Sequence, residues 1–234
     1  MRLRSLPDDD DDVIVAPPGG TRLAAREAGV HPLLAAALDP AGPLAGPIGQ
    51  LRLQLAGIRR PDGTPARLVA IAGIDAPDET ALIAAALAVT TARAGYQALL
   101  VDACLSRPML HPLFGCGNAM GLTTLMPARL AGDALQPTGQ PRLLLLSPGP
   151  RVDGEESFID GARLFGKLRT LADRFQSILV LSQGDPGIVA GTSEGFDGAV
   201  LVVRRDVSST RRLQAAAAAL AERKTPLIGI VCVH

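Results

Sequence analysis

The sequence predicts an α/β fold, a mostly parallel sheet with helices on both faces, preceded by a flexible N-terminal tail. Three observations lead there. Short apolar runs of strand length recur along the chain, and Ala-rich stretches of helical character separate them. Hydrophobic residues make up 47% and charged residues 20%, a balance that suits a packed core. The 234 residues suffice for one α/β domain of ordinary size plus a tail.

Residues 1–46 read as the tail and 47–234 as the domain. The acidic run 8–12 repels itself, and the PPGG of 17–20 continues neither a helix nor a strand. The Ala/Leu-rich stretch 21–38 has helical character and is closed by Asp39-Pro40; the AGPLAGP that follows is linker-like. Beyond Pro47 strands and helices alternate. RLVAIAG (67–73) is an apolar run suited to a buried strand, and residues 79–93 form an Ala-rich helix with Gly95 as its C-terminal stop. QALLVDA (97–103) is a second strand and RLLLLS (142–147) a third. A helix over 158–175 feeds the strand SILVLS (177–182). GAVLVVR (198–204) is the next strand, 208–223 a helix, and PLIGIVCV (226–233) the closing strand.

Composition removes several function classes. With 23 basic and 23 acidic residues the formal charge is zero, which disfavours a charge-driven grip on nucleic acid or an anionic membrane. Aromatics are 3%, with Tyr96 the single tyrosine, too few for base stacking. Cys104, Cys116 and Cys232 lack paired or metal-ligand spacing and read as reduced thiols. No segment reaches the roughly 18 apolar residues of a spanning helix. The opening MRLRSLPDDDDDV has no apolar core of a secretory signal. The expected location is the cytoplasm.

The stretch AGYQALLVDACLSRPMLHPLFGCGNAMGL (94–122) resembles a strand-and-loop segment of the bacterial tyrosine autokinases of capsule and exopolysaccharide export, within the MinD/ParA-like P-loop group. The family segment reads approximately AGxxVLLIDADLRRPxLHxxFxxxxxxGL, and Gly95, Asp102, Arg107, Pro108, Leu110, His111, Phe114, Gly121 and Leu122 fall in register. FDGAVLVVRRDVSSTRRLQ, PLIGIVCV and AAALAVTTARAG resemble further family segments in the right order, so the likeness covers residues 47–234. It implies a P-loop NTPase-like fold and recruitment to the inner membrane by a partner.

The same alignment implies that the phosphate chemistry is lost. A phosphate loop works through glycine-freed N–H groups, a helix N-terminus, a lysine, and a hydroxyl on magnesium. Where the family has SxxPGEGKS or similar, this chain has GIDAPDETA, from Gly73 to Ala81. Thr80 falls on the lysine position, Ala81 on the magnesium-ligand position, and Glu79 and Pro77 on the two glycines. Proline removes an N–H, and Asp75, Asp78 and Glu79 bring carboxylates to a polyphosphate's place. Asp75 or Asp78 is expected to cap the following helix. The family's second aspartate after the next strand is Cys104, which leaves Asp102 and Arg107 as the surviving residues of that motif. The magnesium-organising aspartate position is Leu181, with Asp185 four residues on, and the asparagine expected to read adenine is Val233.

Asp102 is expected to cap a loop, Arg107 to fix the loop around Pro108, and His111 to be a surface residue without metal partners. GTSEG (191–195) lacks the spacing of a nucleophile elbow. The family's tyrosine-rich C-terminal tail is not present before His234. In the oligomerisation pattern ExxRxxR, Gly46 and Gly49 replace the first two positions and only Arg52 remains. No catalytic residue, bound ATP or metal is therefore expected. The resemblance implies a regulatory or scaffold protein of exopolysaccharide (capsule or holdfast-type) biosynthesis, docked on a membrane polysaccharide co-polymerase, with homo-oligomers allowed. The alternative is an active ATPase or tyrosine kinase with a non-standard phosphate loop. A ParA-like positioning protein is a third reading, disfavoured by the neutral charge and the weakly amphipathic last helix.

Overall fold

The structure, a computed structural model, describes residues 30–124, 134–150, 161–169, 171–184, 186–193 and 195–233. Its seven strands are β1 (Leu68–Ile74), β2 (Ala98–Asp102), β3 (Leu135–Pro137), β4 (Leu143–Leu146), β5 (Ser177–Gln183), β6 (Gly198–Arg204) and β7 (Leu227–Val233). They lie in the order β3-β4-β2-β5-β1-β6-β7, parallel throughout except for β3 on β4. β1, β2, β5 and β6 read as unbroken apolar runs because both faces of the sheet are covered.

The helices are α1 (Pro32–Ala37), α2 (Ala45–Gly57), α3 (Pro77–Arg93), α4 (Leu110–Leu113), α5 (Gly161–Arg169), α6 (Pro186–Thr192) and α7 (Thr210–Glu222). One core lies under α1–α4 and holds Ile71, Leu100, Leu179, Leu181 and Val202. The other lies under α5–α7 and holds Ala70, Leu99, Val101, Val180 and Leu201. α3 packs on α1 and α2 on one side and on β1, β2 and β5 on the other. Its run Ala84, Ala85 and Ala86, with Ala88, is fully buried. A helix covered on both sides is apolar nearly all round, and alanine lets it approach both layers closely. It ends as expected: Gly95 takes φ +97, and its N–H donates to the Ala92 carbonyl at 2.9 Å.

The structure moves the boundary drawn at residue 46. Leu34 of α1 is fully buried and Ala37 nearly so, and both join the α3-side core. The His31 N–H donates to the Leu113 carbonyl at 2.9 Å. Residues 30–46 thus pack on the domain, because Leu34 and Ala37 share one face of a turn that AGPLAGP folds back against α3 rather than leading away. The remainder of the tail lies outside the described residues, as does the first part of the helix expected over 158–175.

Besides α2, whose 13 residues the sequence reading left unassigned, three short elements have no counterpart in it. β3 is three residues long and ends in Pro137, and α4 and α6 span four and seven residues, all too short for a periodic signal. β7 forms the far edge; Leu227 and Ile230 there are exposed, at 38% and 50%.

Asp197 ties the entry of the sheet together. Its carboxylate accepts a bidentate pair of bonds from Arg60 at 2.8 Å each, and the N–H groups of Arg67 and Leu68 at 2.7 and 2.9 Å. Burial pushes this carboxyl up, but the Arg60 guanidinium and the two amides outweigh it and hold the group below the usual carboxylate range. Arg60 is raised in return, chiefly by its bond to Asp197. No described helix is long and apolar enough to cross a membrane.

Candidate functional site: the β1–α3 loop

In a parallel sheet the connections at the carboxyl ends of the strands form the natural ligand crevice. Here that edge carries the β1–α3 loop, the residues after β2, the end of β5 and the β6–α7 connection. Gly73 precedes the last residue of β1, where a Cβ would stand 3.1 Å from Cβ of Thr80 and closer still to its hydroxyl. A glycine is required there because α3 begins so close to the strand.

Asp75 takes the left-handed conformation at φ +58, which aspartate tolerates better than most residues. Ala76 is the N-cap and offers no side-chain bond, and Pro77 stands in the first helical turn with its missing N–H harmless. The cap expected from Asp75 or Asp78 is not formed. Proline starts the helix at 77 rather than 79, so Asp78 and Glu79 lie in the first turn, where the positive end of the helix dipole favours them. Thr80 is fully buried and its hydroxyl donates to the Ala76 carbonyl; Ala81 is buried beside it. Gln183, at the end of β5, donates through Nε2 to the Pro77 carbonyl at 2.8 Å.

Each loop carboxylate is met by an arginine from another element. Asp75 pairs with Arg212 of α7, Glu79 with Arg204 at the end of β6, and Asp78 with Arg107 at 3.1 Å. The Arg107–Asp78 pair is exposed, at 61% and 63% for the two side chains, so it adds little stability. The other two are more enclosed. The Ser208 hydroxyl clasps the two segments, donating to the Ile74 carbonyl at 2.7 Å and accepting the Arg204 N–H at 2.8 Å. Arg204, Ser208, Arg212 and Gln183 were missed in the sequence, since local spacing says nothing about partners more than a hundred residues away. The one available signal was the strand pattern. Pairing of β6 with β1 sets Val203 opposite Ile74, which brings Arg204 to the loop.

The remaining expected positions are accounted for as follows. Asp102 is fully buried and accepts the N–H groups of Cys104, Met109 and Leu110 at 3.0, 2.7 and 2.9 Å. It therefore shapes the loop after β2. Burial pushes its carboxyl up, against the pull of those three bonds. Arg107 reaches Asp78 instead of serving the turn around Pro108. Leu181 is fully buried in the α3-side core, opposite Asp102 in the β2–β5 register. Asp185 lies outside the described residues. Cys104 is buried, and burial together with neighbouring Asp102 pushes its thiol well above the usual range. His111 lies in α4 with a buried Nδ1 that has no hydrogen-bond partner. Val233 ends β7 beside Arg204. Of GTSEG, Ser193 is buried and donates to the Val189 carbonyl, while Glu194 lies outside the described residues. Among the described residues no group of His, Cys, Asp and Glu could hold a metal ion.

No protein-family model matches the chain. It is 26% identical over 154 residues to the tyrosine-protein kinase YwqD of Bacillus subtilis, covering 63% of this chain and 64% of that protein. It is also 26% identical over 100 residues to the putative tyrosine-protein kinase CapB of Staphylococcus aureus, covering 42% and 44%. The chain thus spans less than two thirds of the length of these curated relatives. Among solved structures, the chimerical protein CapA2B2 superposes with a TM-score of 0.73 at 21% identity, over 86% of this chain and 88% of that one. A ParA family ATPase from Chlorobium tepidum gives 0.55 at 22%, over 72% and 73%. The fold is that of the MinD/ParA-like P-loop NTPases.

Proposed function

The chain is a relative of the bacterial tyrosine-protein kinases, and on that footing we propose that it is a catalytically degenerate member, a regulatory or scaffold protein of exopolysaccharide export. In this reading it docks on the cytoplasmic part of a membrane polysaccharide co-polymerase, works at the inner membrane through that partner, and neither holds Mg-ATP nor transfers phosphate.

The observation that carries the reading is the state of the β1–α3 loop. A polyphosphate needs N–H donors, a fixed cation and a magnesium-organising pair at this position. Here Pro77 supplies no N–H, and Thr80, in the lysine position, is buried with its hydroxyl spent on Ala76. Asp75, Asp78 and Glu79 bring three carboxylates to this loop, each paired with its own arginine. Leu181 is sealed in the core where an aspartate would meet magnesium. These residues do not fit a magnesium nucleotide, and no chemical step is assigned to one. Asp102 and Arg107 keep structural tasks, which explains how they outlast the chemistry.

The test mixes the full chain with Mg-ATP and the cytoplasmic segment of its co-polymerase. The reading expects a stable complex with neither phosphate release nor tyrosine phosphorylation above the segment alone. Phosphate release that requires this chain would contradict it and favour an active enzyme with a non-standard loop.

A further inference from the structure

All strands except β3 run parallel, so they begin together on one edge of the sheet, opposite the β1–α3 loop. Backbone bonds make this amino edge a continuous line. The Arg142 carbonyl accepts the Ala98 N–H at 2.9 Å, and the Gln97 carbonyl the Gln176 N–H at 2.9 Å. The Arg67 carbonyl accepts the Ile178 N–H at 2.6 Å, the Leu68 carbonyl the Asp197 N–H at 2.8 Å, and the Pro226 carbonyl the Ala199 N–H at 2.8 Å. Basic side chains stand along the whole of it. Arg142 precedes β4, Arg93 ends α3, Arg174 precedes β5, Arg67 precedes β1, and Arg223 and Lys224 lie before β7. All are exposed but Arg67, which is half-buried. The acids on this edge are fewer: Asp62, Asp173 and Glu222, with Asp197 already taken by Arg60.

We infer that this edge is a contact surface for an anionic lipid bilayer, which would hold the carboxyl edge away from the membrane. The formal charge of zero disfavours such a surface only when charge is spread evenly. It is not: the acidic run occupies residues 8–12, and the carboxylates of the β1–α3 loop each have an arginine. Helix C-termini favour basic residues, which explains Arg93 and Arg223. It does not explain Arg142 and Lys224. These take φ +63 and +58, the left-handed region that glycine or asparagine enters at lower cost. Neither side chain has an ion-pair partner among the described residues. Two strained positions thus hold cations that serve no internal pair. Tyr96, the single tyrosine, is half-buried in the same line beside Gln97, and Leu227 is 38% exposed at its β7 end. An amphipathic ring and an aliphatic flank suit a headgroup layer better than a stack of bases. The inference goes beyond the function proposed above and is independent of the state of the β1–α3 loop.

The experiment is co-sedimentation of the full chain with vesicles of phosphatidylglycerol and phosphatidylcholine in equal parts, and with phosphatidylcholine alone, without the co-polymerase. Wild type should sediment with the anionic vesicles only, and less as salt rises. Combining Arg142→Asn, Arg174→Gln and Lys224→Asn should weaken this at least on the order of tenfold, since each basic residue near such a surface contributes on the order of fivefold. Removing two cations from the other edge, Arg205→Gln with Arg211→Gln, should change it little. Asparagine tolerates the left-handed region, so the thermal midpoint of the triple variant should hold or rise. If that variant does not unfold cooperatively, Arg93→Gln with Arg174→Gln replaces it, with the same expected direction. Failure of wild type to sediment with anionic vesicles overturns the inference, as does equal sedimentation with phosphatidylcholine alone. So does binding that survives the triple variant or falls equally in the carboxyl-edge variant. Tighter binding to duplex RNA at the same salt, lost in the triple variant, would assign the edge to nucleic acid and overturn it too. None of these outcomes bears on Mg-ATP or on the co-polymerase complex, which test the function proposed above.

Discussion

Asp197 shows how much a single carboxylate can organise. Its side chain, 13% exposed, receives four bonds that join the turn at Arg60, the start of β1 and the approach to β6. Asparagine could keep the backbone bonds but would lose the charge that meets Arg60. Asp197→Asn should therefore destabilise the fold by about 1–3 kcal/mol at neutral pH, read from urea unfolding. The acid limb carries its own sign. Because the folded carboxyl lies below its ordinary value, the contribution is fully present above about pH 4 and is lost as pH falls through the folded value. The gap between wild type and variant should be flat from pH 7 to about pH 4 and close below it. A gap that widens on acidification would contradict this assignment. In the proposed reading, Pro77, Glu79, Thr80 and Leu181 stand where phosphate-handling residues would, an assignment made in the sequence from the matched frame alone. The arginines that answer the acids were not legible there, since an ion pair across the sheet leaves no trace in local spacing.

At the level of elements, legibility followed length and period. β1, β2, β5 and β6 are unbroken apolar runs and were found within a residue or two. α3 was two residues short at its start because Pro77, read as a breaker of phosphate contact, also opens the helix. The short pieces β3, α4 and α6 carried no usable signal. α1 lies within the stretch 21–38 that was given helical character, but the boundary at 46 left it in the tail, whereas Leu34 has no solvent exposure and joins the core. Leu34→Ala should cost about 2–4 kcal/mol and lower the urea midpoint without changing the slope. A linker residue would change stability by less than about 0.5 kcal/mol, so a null result would return α1 to the tail.

For the whole molecule, the layered sheet is that of the P-loop NTPases, and its carboxyl edge carries ion pairs between the β1–α3 loop and three other segments. In the proposed reading, the pairs that hold this loop are also what keeps a nucleotide out. Asp75 and Glu79 tie the β1–α3 loop to α7 and β6, while the exposed Asp78–Arg107 pair adds little. Such a molecule keeps a rigid edge on which a partner can dock without keeping a reaction there. The measurement that bears most directly on this is calorimetric titration of the wild-type chain with Mg-ATP and Mg-ADP, alone and with the co-polymerase segment present. The account predicts no binding heat in either case at concentrations where an intact kinase of the family saturates. Micromolar binding, with or without the segment, would contradict it.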